Sequence, residues 1–189
     1  LGVQTPEAMS LWSGLATGAT YIIVCLAAPF WGRVADKKGR KITLIRSSFG
    51  MALCNILIAF QTTPEGVVLI RLVQGLVSGF YSASITLIAS ESPIERTGWA
   101  LGLLASANLA GSLIGPLLGG YIADTVGIRN DFIIVGTLMG LAGVLATIFI
   151  HENYVPQPNP EKLSIRKLKE QIPEFNSIVA LCVASFIYA

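Results

Sequence analysis

Residues 98–122 read GWALGLLASANLAGSLIGPLLGGYI, with no charged side chain anywhere in the stretch. At 1.5 Å rise per residue, a helix over these positions is about 37 Å long, more than the ~30 Å hydrocarbon core of a bilayer. A helix lodged in a soluble protein would carry a polar face at 3.6-residue spacing, and none is present. Charge returns only at the flanks, with Glu95 and Arg96 before and Asp124 and Arg129 after. The stretch therefore reads as a membrane-crossing helix with its ends in water.

The rest of the chain repeats the pattern. Residues 8–31, 42–60, 67–90 and 132–150 are apolar runs of similar length, and a further one begins near residue 175 and reaches Ala189. Hydrophobic residues make up 53% of the chain and charged residues 13%, against about 25% charged in an ordinary soluble domain. Such a surface is stable only against lipid, so an all-α polytopic membrane protein is expected, multi-pass in the cell (plasma) membrane. The chain opens Leu1-Gly2-Val3 and closes within an apolar run, so both ends are expected to be cuts.

The net charge of +2 says less than the positions of the cations. Arg33, Lys37, Lys38, Arg40 and Lys41 lie between the first two apolar runs, whereas the next connection, residues 61–65, has none. Alternation puts Arg96 inside, Arg129 outside, and Lys162, Arg166, Lys167 and Lys169 inside, which is the one topology the positive-inside rule accepts. Three segments follow: an N-terminal transmembrane bundle over 1–150, a cytoplasmic linker over 151–174, and the start of a second bundle over 175–189. In the linker, Pro156, Pro158 and Pro160 predict a stiff extended spacer. Beyond it, Ile165, Leu168 and Ile172 among basic residues fit either an amphipathic helix on the inner membrane surface or a solvated tether.

An internal repeat links two of the connections. Pro29-Phe30-Trp31-Gly32, then Ala35-Asp36 and Gly39, returns as Pro116-Leu117-Leu118-Gly119, then Ala123-Asp124 and Gly127, with one residue inserted. Three spans separate the copies, so they face opposite sides. Three-helix units of opposite topology are a building principle of secondary transporters.

These residues resemble the major facilitator superfamily, and within it the twelve-helix drug and proton antiporters. The loop Gly32-Arg33-Val34-Ala35-Asp36-Lys37-Lys38-Gly39-Arg40-Lys41 is similar to the superfamily's signature between its second and third helices. Arg71, Gln74 and Gly75, with Gly79 after them, look like the opening of its fourth helix. Gly102, Gly111, Gly115-Pro116 and Gly119-Gly120 fit the antiporter signature of the fifth. The resemblance implies the N-terminal part of a major-facilitator helical bundle, helices two to six and part of seven, with inverted three-helix repeats. It implies proton-coupled efflux of amphipathic drugs by alternating access. The partners would be a small-molecule substrate, protons, the lipid bilayer and the C-terminal half of the same transporter, with no nucleic acid. The match looks bacterial. Another transporter of the superfamily, for uptake or export of metabolites or sugars, is the nearest alternative, and a membrane scaffold or sensor a remote one.

Each motif also has a physical reading. Asp36 and Gly39 suit the first and fourth places of a type I turn, and the resemblance makes Gly32, Asp36, Gly39, Arg40 and Lys41 a cytoplasmic gate loop. Arg71 lies about a turn inside its span. A cation there either snorkels to the headgroups or faces protein and water, and the resemblance assigns it to proton coupling. Gln74, three residues on, shares its face and can hydrogen-bond to it. Gly111, Gly115 and Gly119, four apart, stack on one face and admit a close neighbour, while Pro116 is expected to bend the helix. Asn108 is the candidate cavity residue among the intramembrane Ser, Thr and Asn side chains, most of which are expected to bond their own backbone. No acidic residue lies deep in a complete span, so a coupling carboxylate is expected in the absent first helix or beyond Ala189.

Enzyme chemistry finds little support. His151 is the single histidine, no nucleophile–base pair shares a depth, and no phosphate-binding loop with its Lys appears. Cys25, Cys54 and Cys182 match no metal or redox spacing. No cofactor or metal is expected.

Overall fold

The computed structural model describes residues 5–152, and those residues form six α-helices: α1 (Pro6–Lys38), α2 (Arg40–Ala59), α3 (Pro64–Val77), α4 (Phe80–Glu91), α5 (Ile94–Val126) and α6 (Ile128–Phe149). The proline-rich spacer, the basic 162–169 cluster and the run from residue 175 lie outside the described residues. Taken together, α3 and α4 make one membrane-length element, so five elements are long and apolar enough to cross a bilayer.

Helix starts are set by local chemistry. Thr5 and Thr63 each cap a helix whose first residue is proline, accepting from Ala8 N and Gly66 N. Proline suits that position because its missing N–H is one the helix leaves unpaired anyway.

Two elements join with almost no loop. The type I turn expected at 36–39 does not form: α1 stays helical through Asp36 and Lys38, and Gly39 alone reverses the chain with φ 95° and ψ 152°. The backbone region it occupies is essentially restricted to glycine. Gly127 does the same between α5 and α6 with φ 90° and ψ 150°. In both cases the glycine N–H donates 3.0 Å to the carbonyl four residues back, Ala35 in one copy and Ala123 in the other. The sequence repeat is thus a repeat of backbone conformation.

A second difference concerns residues 67–90, expected as one helix. Ser78 is extended and Gly79 left-handed at φ 115°, ending α3 and starting α4 in mid-span.

The packing centre is α2, which lies against α6, α3 and α4, while α1 lies against α3. Its buried face mixes small and polar residues, Thr43, Ser47, Ser48, Ala52, Asn55 and Ala59, with Leu44, Cys54 and Ile58. Opposite it, α6 offers glycines: a methyl placed on Gly136 would stand 2.9 Å from the Ala52 carbonyl, and one on Gly143 3.0 Å from Ser48 Cβ. Small residues let backbones approach where the hydrophobic effect offers no drive. Asn55 completes the seam, its amide donating to Met51 O at 2.8 Å and reaching Met139 Sδ at 3.4 Å. Many other large apolar side chains are exposed, Trp99, Leu117 and Phe149 each by more than 70%. That exposure suits a lipid-facing surface.

No residue of α5 is buried, and a methyl built on Gly102, Gly111, Gly115, Gly119 or Gly120 meets nothing within 4 Å. The close neighbour expected against this glycine face is absent among the described residues. Pro116 sits inside a helix that continues through it.

Candidate functional site

Arg71 reaches the interior because α3 is held tightly to α1. Gly75, one turn further on, has no room for a side chain: its methyl would lie 2.6 Å from the Thr20 carbonyl and 3.0 Å from Ile23 Cβ. The Thr20 hydroxyl closes the same seam, shared between Ala16 O at 2.9 Å and Arg71 O at 3.2 Å. With the backbones so close, the Arg71 guanidinium turns along its own helix and donates from Nη1 to Gln74 Oε1 at 2.7 Å. Gln74 is buried and Arg71 half-buried. The partner is neutral, so the hydrogen bond orients the guanidinium without cancelling its charge.

Arg71 also lines a cavity of about 710 Å³ between α1, α2, α3 and α6. Trp12, Ile58, Val67, Val68 and Phe132 supply apolar walls, and Ser13, Thr17, Gln61 and Arg129 polar points. An apolar chamber with a few convergent polar groups is the usual form of a small-molecule site. By the predicted topology it lies towards the outer face.

A smaller cavity, about 230 Å³, lies nearer the other end between α1, α2, α3 and α4. Gly32, Asp36 and Arg40 of the signature loop line it together with Trp31, Thr43, Gly75, Ser78 and Gly79. The loop and the helix opening, far apart in sequence, therefore meet around one space. Gly39 forms the reversal itself. The backbone N–H groups of Arg40 and Lys41 donate to the two oxygens of Glu152, at 2.7 and 2.8 Å. Lys41 Nζ donates to Thr147 O at 3.0 Å. A carboxylate on the first amides of a helix is favourable through both hydrogen bonding and the helix dipole.

Other expected site residues are not gathered. Asn108 is exposed on α5 and lines neither cavity. Gly102, Gly111, Gly115, Pro116, Gly119 and Gly120 share its helix and likewise line neither. Ser78, Ser82, Ser84, Thr86 and Ser112 each donate to a backbone carbonyl of their own span.

Two residues that sequence reasoning passed over are Arg46 and Glu152. Arg46 was hidden within an apolar run just beyond a cluster of loop cations. Glu152 lies outside the spans, and nothing local marks it as a cap for a helix more than 100 residues earlier.

A family profile described as Major Facilitator Superfamily matches residues 5–189. The chain belongs to that superfamily. Proteins named multidrug resistance protein MdtG are similar along 99% of the chain: 34% identical in Proteus mirabilis, 37% in Salmonella dublin and 36% in Salmonella paratyphi A. In each the match covers 46% of the relative, so the chain spans about half the length of these proteins. Superfamily membership and five membrane-length elements make the chain a segment of a multi-pass membrane protein, and these relatives are bacterial.

Proposed function

We propose that the full-length protein carrying this segment exports amphipathic small molecules in exchange for protons, alternating access between two halves. The carrying observation is Arg71: a half-buried cation at the wall of a cavity of about 710 Å³, bonded to the neutral Gln74. A guanidinium whose charge is not cancelled favours the ionised form of any carboxylate that approaches, and stops favouring it when the two separate. Moving a carboxylate towards and away from Arg71 during the transport cycle would then release and take up a proton.

The mixed lining supports a substrate that is apolar with a few polar groups. The names of the relatives favour drug export over uptake. In this reading Gly32, Asp36, Gly39, Arg40 and Lys41 form the cytoplasmic gate, and the glycines of α5 with Pro116 close a face against leak. The sequence domains, 1–150, 151–174 and 175–189, are then a first bundle, a linker and the start of a second.

Dye efflux from proteoliposomes of the full-length protein tests the proposal. Export is expected to collapse when a protonophore is added, and uptake, or export indifferent to the protonophore, rejects it. Arg71→Lys is expected to lose the pH dependence of efflux, because lysine replaces a fixed planar fork with a mobile point charge. Full retention of rate and pH profile removes Arg71 from the coupling.

A further inference from the structure

The break at Ser78–Gly79 leaves carbonyls in mid-span without helical partners, and an unpaired carbonyl is costly where lipid excludes water. Three of these carbonyls are met by side chains. Trp31 Nε1, from α1, donates to Leu76 O at 2.7 Å. Arg46 Nη2, from α2, donates to Ser78 O at 3.1 Å. Ser78 Oγ turns back to Gly75 O at 2.9 Å.

The two outside donors also hold each other. The Arg46 guanidinium carbon lies 3.4 Å from the centre of the Trp31 ring, the stacked geometry that a planar cation prefers over an indole. Close by, α2 presses on the last turn of α3: a methyl on Gly50 would come 2.8 Å from Val77 Cβ.

Arg46 is nevertheless incompletely satisfied. Among the described residues its buried Nε and Nη1 have no hydrogen-bond partner, and neither has Thr43 Oγ1 three residues earlier on the same helix. Buried donors left unpaired raise the free energy of the state that contains them. The arrangement is thus held by specific contacts while two donors of Arg46 stay unpaired among the described residues.

We infer that Arg46 and Trp31 form a clamp that holds the 64–91 span in two pieces, and that they are positioning residues for transport. The outer piece carries Arg71 and Gln74. The inner piece contributes Gly79, Ser82, Ala83 and Thr86 to the smaller cavity. Opening the clamp lets the pieces pivot at Gly79, so the Arg71 side and the gate side change their relation together. The functional part of this inference rests on the transport reading; the clamp itself does not.

The experiment uses the full-length protein with its native cysteines replaced and spin labels at the exposed positions Leu69 and Ala89, one on each piece. Arg46→Gln and Gly79→Ala are expected to shift or split the label-to-label distance distribution in the same way, one by removing the clamp and the other by disfavouring the left-handed backbone. Arg46→Lys should give a partial shift. In proteoliposomes, Arg46→Gln and Trp31→Phe should each lower turnover about tenfold with KM little changed, and the double variant should be no slower than the slower single, as expected for two groups acting as one unit. Distances unchanged in Arg46→Gln, or a double-variant loss equal to the product of the singles, overturns the clamp. Should Arg46→Gln fail to fold, Arg46→Lys and Gly79→Ala carry the test, and unchanged distances in both overturn it. If the wild type exports nothing but the distances shift as expected, the transport reading fails and the clamp stands.

Discussion

The α1–Gly39–α2 and α5–Gly127–α6 units share a backbone plan and differ in how they are fastened. Each places a proline inside its first helix, ten or eleven residues before a glycine that reverses the chain with nearly the same φ and ψ. At Gly39, the next two amides are capped by Glu152, and Lys41 reaches Thr147 O, so α2 is tied to the end of α6. At Gly127 no side chain among the described residues caps the new helix, and Asn130 turns its amide back to Val126 O at 2.7 Å. The first helices differ in the same sense, with α1 gripped by Thr20, Gly75 and Trp31 and α5 unburied along its whole length. The reversal is therefore generic, and what makes the first loop specific is a set of side chains recruited from elsewhere in the chain.

The sharpest test of the shared backbone is to replace both glycines. Gly39→Ala and Gly127→Ala should each cost about 1–3 kcal/mol, because alanine is strained in that region of φ and ψ. Thermal unfolding of the detergent-solubilised full-length protein reads the loss. Equal losses would confirm that the two reversals are the same device, and a cost at Gly39 alone would break the equivalence.

The difference in fastening predicts a smaller, one-sided effect. Glu152→Gln keeps an acceptor near Arg40 N and Lys41 N but removes the charge, and should cost about 1 kcal/mol. Asp131→Asn in the first turn of α6, where the carboxylate Oδ1 is buried with no hydrogen-bond partner among the described residues, should change stability by less than about half that amount. The same melting experiment ranks the pair. A loss at Asp131 as large as at Glu152 would show that the Gly127 unit is fastened after all.

How much of this was visible beforehand follows from what each residue's neighbours are. The spans could be read because lipid demands long uncharged runs, and the repeat because Pro, Gly and Asp recur at matched spacing. The single-residue reversal was misread as a turn, since Asp36 and Gly39 satisfy turn preferences equally well and only the helix continuing through Lys38 decides. The break in the 64–91 span left no signal, because Gly79 is one glycine among many and its conformation depends on Trp31 and Arg46 arriving from other helices. The Arg71–Gln74 bond was legible as a local i, i+3 pair. The Thr20 contact that fixes its helix was not, being 51 positions away.

The glycine-rich face of α5 supplies the smallest expected effect on stability and separates fastening from function. Gly115→Ala should not lower thermal stability, since among the described residues nothing beyond its own helix backbone lies within 4 Å of the added methyl and alanine is the better helix former. Gly136→Ala on α6 is the matched control: its methyl would meet the Ala52 carbonyl at 2.9 Å and Ile56 Cγ1 at 2.7 Å, and overpacking of that kind costs about 1–3 kcal/mol. If the α5 face closes against leak, the larger Gly115→Val should raise proton permeability of proteoliposomes severalfold while the melting temperature of the protein barely moves. A proton leak that rises only in step with lost stability would mean that α5 is fastened like α6, and that the contrast between the two units ends at their loops.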